Sequence, residues 1–278
     1  MDGVAVIDKP EGWTSHDVVA KFRGIAKTKR VGHLGTLDPM ATGVLPLVVG
    51  AACRLARFYT GAQKVYEAGV RFGFTTDTYD RTGVPTDNPI PVNIDAAGLE
   101  AALVKFRGRM LQMPPQYSAK KVRGIVAYKA ARNSIPVELQ PVEVEIYELA
   151  VMSFDGQRAE LRIRCSAGTY IRSIAHDVGA ALGCGAHLDS LRRLASGEFT
   201  LEQARPLATA QLIPLAQMLL QFPAFVATEQ TATAIRQGRV FEAQFEATQI
   251  RALSELGDLI AICDLTAPGL YHPAVVVG

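Results

Sequence analysis

Gly32-His33-Leu34-Gly35-Thr36-Leu37-Asp38-Pro39-Met40-Ala41-Thr42-Gly43 gathers three glycines, one proline and two threonines around a single carboxylate. Glycine tolerates positive φ and lets the backbone come close to a ligand, and Pro39 restricts φ immediately after the acid. The stretch reads as a loop that holds Asp38 in one place with few bulky neighbours. A tight connection whose Asp merely closes a turn explains the local chemistry equally well.

Before the loop, Gly3 to Asp8 reads as a short apolar strand ended by Lys9-Pro10-Glu11-Gly12. Ser15 is placed to cap a helix whose apolar positions Val18, Val19, Phe22, Ile25 and Ala26 recur at helical spacing. Lys21, Arg23, Lys27, Lys29 and Arg30 bring positive charge to its exit. After the loop, the unbroken apolar run Val44 to Val49 predicts a buried strand.

Further along, residues 64–74 alternate as a strand with Tyr66 near its start, and the polar stretch 75–83 is a loop long enough to suit function. Asp95 caps a helix carrying Leu99, Leu103 and Phe106, and Gln112 to Lys121 is proline-rich, basic and extended. Residues 141–166 predict a hairpin turning at Asp155-Gly156. Gly168-Thr169 leads into a helix with Ile171, Ile174, Ala175, Val178 and Leu182 on one face, and His187 to Thr200 is strand-like. A short apolar helix is expected over Leu215 to Leu220, and Pro223 marks a boundary. Beyond it lie one short helix (Gln230 to Arg236) and several short strands. That tail is small for an independent core and is expected to lean on the rest.

Of the 278 residues, 49% are hydrophobic and 20% charged, an ordinary globular mixture. No apolar run approaches the ~20 residues of a membrane span, and the start lacks a signal-peptide pattern. The cysteines Cys53, Cys165, Cys184 and Cys263 form no CxxC pair and read as small buried hydrophobes of a cytoplasmic protein. Net charge is only +2, yet Ala101 to Val137 holds eight basic residues and no acid. From Leu201 onward seven acids face four arginines. The middle fits a polyanion; the tail does not.

Asp38 has four chemical readings: metal ligand, phosphoryl acceptor, general base, or nucleophile towards carbon. No local DxD or HxxxH accompanies it, and GxxxxGK[ST] and GxGxxG loops are absent. No Ser/His or Cys/His pairing supports a hydrolase triad. Covalent catalysis by a lone aspartate is compatible with the loop, provided a cation elsewhere supports its charge. Local spacing does not name that cation.

The runs Lys9 to Val19 and Val31 to Pro46 resemble the TruB-type tRNA pseudouridine synthases. Three more blocks match in order: Lys64-Val65-Tyr66 with Gly73 to Asp80, then Pro114 to Lys121, then Gly168 to Ser173. The Ala41-Thr42-Gly43 variant is closer to the bacterial stand-alone enzymes than to the guide-RNA-dependent dyskerin relatives. The resemblance implies conversion of the T-loop uridine of tRNA, position 55 in tRNA numbering, to pseudouridine without cofactor or metal. Residue by residue, it implies Asp38 as nucleophile at C1′ or as helper of C2′ deprotonation, with Arg172 as its cation. Tyr66 would stack on the flipped uracil with its hydroxyl near the ribose as a proton acceptor. Tyr170 and Leu191 would line the base pocket, and His33 would take the space of flipped bases.

Plain alternatives stand beside these roles: a surface arginine for Arg172, core packing for Tyr66, Tyr170 and Leu191, and a backbone-bonded loop histidine for His33. Lys105 to Arg132, with Tyr117 and Tyr128, is a candidate clamp on the stem-loop, and Lys21 to Arg30 a second. Ala167 departs from the family block, where lysine or glycine is common, and bears on one backbone or phosphate contact. The expectation is an α+β pseudouridine-synthase fold with a mixed, mostly antiparallel sheet over residues 1–222. A small β-rich PUA-like domain would follow over 223–278. A cytoplasmic monomer acting on tRNA with no protein partner is the corresponding functional reading. The rivals are a non-catalytic RNA-binding or tRNA-folding protein, and a phosphoryl-transfer enzyme.

Overall fold

The structure, a computed structural model, describes residues 1–118, 120–122, 125–126 and 138–278. Among the described residues, twelve strands precede residue 222: β1 (Gly3–Lys9), β2 (Val31–His33), β3 (Thr42–Val49), β4 (Lys64–Phe72), β5 (Gly108–Gln112), β6 (Lys121–Val122), β7 (Ile125–Val126), β8 (Val142–Phe154), β9 (Arg158–Cys165), β10 (Ala186–Ser196), β11 (Phe199–Thr200) and β12 (Leu212–Ile213). All but the small β6–β7 pair join one sheet, in the order β12-β1-β3-β10-β4-β9-β8-β5, with β2 on β3 and β11 on β10. Only β3 and β10 run parallel; the other strand pairs in it are antiparallel. The helices α1 (Ser15–Ile25), α2 (Ala96–Leu103) and α3 (Ile171–Ala181) flank it.

The unbroken apolar run of β3 has a two-faced cause. Leu45, Leu47 and Val49 enter the core that holds Val18, Phe22, Ile174 and Val178. Val44 and Val48 enter a second core, with Leu55, Tyr59, Met218 and Leu219. Alternate residues of a strand face opposite sides, so covering both faces demands apolar residues at every step.

The tail forms its own five-stranded sheet, β13 (Ala224–Val226), β14 (Phe241–Glu242), β15 (Gln249–Leu253), β16 (Leu259–Ala267) and β17 (Leu270–Val276), ordered β13-β15-β16-β17-β14. The helix α4 (Glu229–Arg236) packs on it through Ala232 and Ile235. Leu259, Ile262 and Val275 leave this sheet to join the second core, and Arg251 donates to the carbonyls of Phe222 and Ala216 at 2.9 Å each. The tail leans on the rest of the chain, as its size requires.

Two expectations need correction. The cap of α1 is Thr14, in a reciprocal capping box with Asp17; Ser15 is the first helical residue, and Ile25 is exposed. Over Leu215 to Leu220 there is only a 3-10 turn, Leu215–Gln217. Six residues are too few to nucleate an α-helix. Leu219 instead adopts φ 57° while Met218 and Leu219 are buried in the second core.

Candidate active site

The Gly32–Gly43 loop is held by partners from four other parts of the chain. Leu37 N donates to Ser15 Oγ at 2.8 Å, and that hydroxyl lies 3.1 Å from Leu37 O. Lys9 is wholly buried and gives its ammonium to the carbonyls of Pro10, Trp13 and Pro39, at 3.0, 2.5 and 3.2 Å. Gly12 N reaches the same Pro39 oxygen at 2.8 Å. Arg193, 1% exposed, donates to Val44 O, Thr36 O and Gly35 O at 2.7, 3.4 and 3.0 Å. Buried carbonyls must find donors, so these contacts fix the loop's path and Asp38 with it.

Arg172 is the cation that local spacing could not name. It is the second residue of α3, 134 positions from Asp38, and only 5% of its side chain is exposed. Nε donates to Asp38 Oδ2 at 2.9 Å and Nη2 to Oδ1 at 3.0 Å, a bidentate charge-assisted pair. The rest of the guanidinium donates to Thr78 O at 3.1 Å and Tyr117 O at 2.9 Å. A surface arginine is excluded.

Asp38 and Arg172 lie in a cavity of about 290 Å³ that Tyr66, Tyr170, Leu191, Lys64 and Arg193 also line. That is near the lower limit of ordinary small-ligand sites and suits one extruded nucleoside better than a helix of RNA. Tyr66 is buried on β4, paired in register with Arg193; burial pushes its phenol above 10 and Arg193 opposes the shift. The Tyr66 hydroxyl therefore carries its proton at neutral pH. Burial likewise raises Tyr170, whose backbone is clamped by Gln112, accepting from Tyr170 N at 2.8 Å and donating to Tyr170 O at 3.0 Å. Leu191 is buried in β10, both core residue and cavity wall.

His33 stands apart. It ends β2 opposite Leu47, outside the cavity lining, and burial lowers its pKa below 6.5. Its Nδ1 is buried without a hydrogen-bond partner among the described residues, so the backbone-bonded histidine is not what is found.

Several functional groups escaped the sequence reading. Asp80 lies in the 75–83 loop and ends the matched block Gly73 to Asp80, but neither the loop's length nor that block gave it a role. Its Oδ1 accepts from Thr78 Oγ1, Thr82 N and Thr82 Oγ1 at 2.8, 2.9 and 2.6 Å, while Oδ2 faces Arg172 Nε at 3.8 Å. Tyr79 holds φ 63° beside it, its ring stacked on His176 at 3.9 Å. Arg193 had a readable signal: consecutive residues of a strand face opposite ways, so one of Arg192-Arg193 had to point inward. Arg192 takes the outer face, donating to Asp8 Oδ2 at 2.8 Å.

A larger cleft of about 480 Å³, lined in part by Glu198 and Arg205, is a weaker candidate. Glu198 is occupied by Tyr59 OH and Leu219 N, and Arg205 by the Glu202 and Ala204 carbonyls. Of the clamp residues, Ala119, Arg123, Tyr128, Lys129 and Arg132 and the side chain of Lys121 lie outside the described residues. Lys105, Arg107 and Arg109 are exposed, Arg107 paired with Glu100 at 2.7 Å. Lys21, Lys27, Lys29 and Arg30 are exposed around the end of α1.

The model of the TruB family pseudouridylate synthase N-terminal domain matches residues 23–171, more than half of the chain. The chain belongs to the TruB family. A second family model, for the tRNA pseudouridylate synthase B C-terminal domain, matches residues 172–220. Among curated TruB relatives, the tRNA pseudouridine synthase B of Solibacter usitatus is 54% identical over 100% of both chains. That of Thermobifida fusca is 48% identical, covering 78% of each. The solved H/ACA RNP bound to a substrate RNA containing 2′-deoxyuridine superposes with a TM-score of 0.74 at 22% identity. It covers 99% of this chain and 85% of that one, and shows the shared pseudouridine-synthase fold, α+β with a mixed sheet. As a TruB enzyme the chain isomerises uridine to pseudouridine in tRNA. No helix among the described residues is long and apolar enough to cross a membrane.

Proposed function

We propose that the uridine isomerised is the T-loop base at position 55 of tRNA, extracted from its stack into the Asp38 cavity before reaction. The observation that carries this reading is the bidentate Arg172–Asp38 pair in a cavity sized for one nucleoside. Each Asp38 oxygen already accepts one N–H and retains a second lone pair for chemistry. Asp38 uses it as nucleophile at C1′ or as helper of deprotonation at C2′. In either route the N1–C1′ bond breaks, the uracil turns, and C5 bonds to C1′. The C5 hydrogen leaves as a proton and N1 gains one, so the reaction is an isomerisation with no redox partner.

Arg172 holds and orients the carboxylate. Tyr66 stacks on the uracil and, being protonated, orients the ribose side by donation first; it accepts a proton only after giving its own away. Tyr170 and Leu191 close the base pocket, and neutral His33 fills space left by flipped bases. The enzyme works as a cytoplasmic monomer without protein partner; sedimentation and turnover of the purified chain test that. Residues 1–222 form the catalytic part, and 223–278 a PUA-like brace sharing its second core. Leu259→Ala should lower the Tm and leave the modified position unchanged.

A T stem-loop with tritium at uridine C5 provides the test. The intact chain should release label to water, and Asp38→Asn should bind the RNA without releasing it. Appreciable release by Asp38→Asn would reject the nucleophile assignment; no release by the intact chain would reject the substrate.

A further inference from the structure

Lys64 stands two residues before Tyr66 in β4, so the pleat turns both side chains to the same face. It lines the cavity wall formed by Thr60 and the Ser166–Thr169 turn, where position 167 is an alanine. Its Nζ donates to Ala62 O at 2.5 Å, one of the three protons of an ammonium. Burial pushes Lys64 below 10.5, and the Arg193 guanidinium adds to that shift. Three cations, Lys64, Arg172 and Arg193, line a cavity with one carboxylate, Asp38. Asp38 is paired with Arg172, and among the described residues neither Lys64 nor Arg193 forms a salt bridge.

An excess of positive charge in a partly desolvated cavity is unfavourable until an anion enters. Uracil and ribose are neutral, so an extruded nucleotide brings negative charge only in its phosphates. Arg193 is committed to three backbone carbonyls at 1% exposure, which leaves Lys64 as the cation positioned to answer them. We propose that Lys64 binds a backbone phosphate flanking the flipped uridine, a substrate contact that rests on the isomerase reading above. The contact makes base extraction favourable on the phosphate side while Tyr66, on the same strand face, receives the base.

Binding of T stem-loops to the Asp38→Asn protein tests this. Besides the plain RNA, two oligonucleotides carry a neutral methylphosphonate on the 5′ or the 3′ side of the target, with 2′-O-methyl on the preceding sugar. Matched 2′-O-methyl phosphates serve as controls. Lys64→Gln should weaken binding of plain RNA and lower the slope of log K against log salt by about 0.7, the loss of one phosphate contact to a single strand. With the methylphosphonate at the contacted position, Lys64→Gln and Lys64 should bind alike, and Lys64→Arg should restore the slope on plain RNA. Two results overturn the proposal: a lowered Tm with unchanged salt slope, which makes Lys64 a staple on Ala62, or a Lys64→Gln loss that persists with both methylphosphonates. Turnover of plain RNA by the unsubstituted chain reports on the isomerase reading separately.

Discussion

Asp80 Oδ2 lies 3.8 Å from Arg172 Nε, on a guanidinium that Asp38 already holds through two hydrogen bonds. Two carboxylates thus face one arginine, Asp38 through hydrogen bonds and Asp80 through charge alone. Asp80→Asn keeps the acceptor for Thr78 and Thr82 and removes only the charge. The Tm should stay close to that of the parent, while kcat falls by about 1–2 kcal/mol of barrier, roughly 5- to 30-fold. Single-turnover kinetics with saturating enzyme would measure it; an unchanged rate would make Asp80 a loop staple only.

Arg172→Lys keeps the charge and loses the planar fork. A lysine cannot match both Asp38 oxygens and the Thr78 and Tyr117 carbonyls at once. Lost charge-assisted bonds put the cost at about 2–4 kcal/mol, roughly 30- to 1000-fold in kcat. RNA affinity should change far less, because Arg172 is buried against Asp38 rather than offered to phosphate.

Gly43 and Gly156 both hold φ near +95°, at 96° and 94°, yet their surroundings differ. A Cβ on Gly43 would meet Arg193 O at 2.2 Å, whereas one on Gly156 meets nothing within 4 Å. Gly156→Ala should cost only the left-handed backbone strain, about 1–2 kcal/mol in urea unfolding. Gly43→Ala should cost clearly more and lower activity too, since it forces β3 and β10 apart at Arg193. Equal costs would show that the contact relaxes freely.

Lys9 is pushed down from 10.5 to about 8, chiefly by burial, with Asp38 opposing and Arg193 assisting the shift. Below about pH 8 it is protonated in both folded and unfolded chains, and the cost of burying the charge is fully present. Between about 8 and 10.5 the folded chain has released a proton that the unfolded chain retains, so stability rises with pH across that window. Urea unfolding of the parent minus that of Lys9→Met isolates this group from other titrating residues. The difference should be flat below pH 8 and grow in the parent's favour above it; a difference flat throughout would mean that Lys9 loses its proton at an ordinary pH.

Most elements were legible because each has a short-range cause. The Asp155-Gly156 hairpin, the Asp95 cap of α2 and the two-faced apolar run of β3 all follow from neighbouring residues. Ser15 was misread because a hydroxyl before a helix looks like a cap. Whether it caps or reaches across to Leu37 depends on a loop 22 residues away. The loop glycines were misread in part as well. Gly43 makes room for the Arg193 backbone and so answers β10 as well as any ligand, whereas a Cβ added at Gly35 would meet the Arg193 side chain at an ordinary 3.5 Å.

The sequence by itself determined that Asp38 sits in a tight glycine-rich loop, and its ordered blocks identified the family. Only the tertiary structure decided which groups meet it. Arg172 arrives from 134 residues away, Asp80 from a loop without periodicity, and Arg193 and Lys64 from strands that pair side by side through β4 and β10. Spacing along the chain governs what repeats on one helix face or one strand face. Partners across a sheet are chosen by strand order and register, which arise from packing the whole core at once.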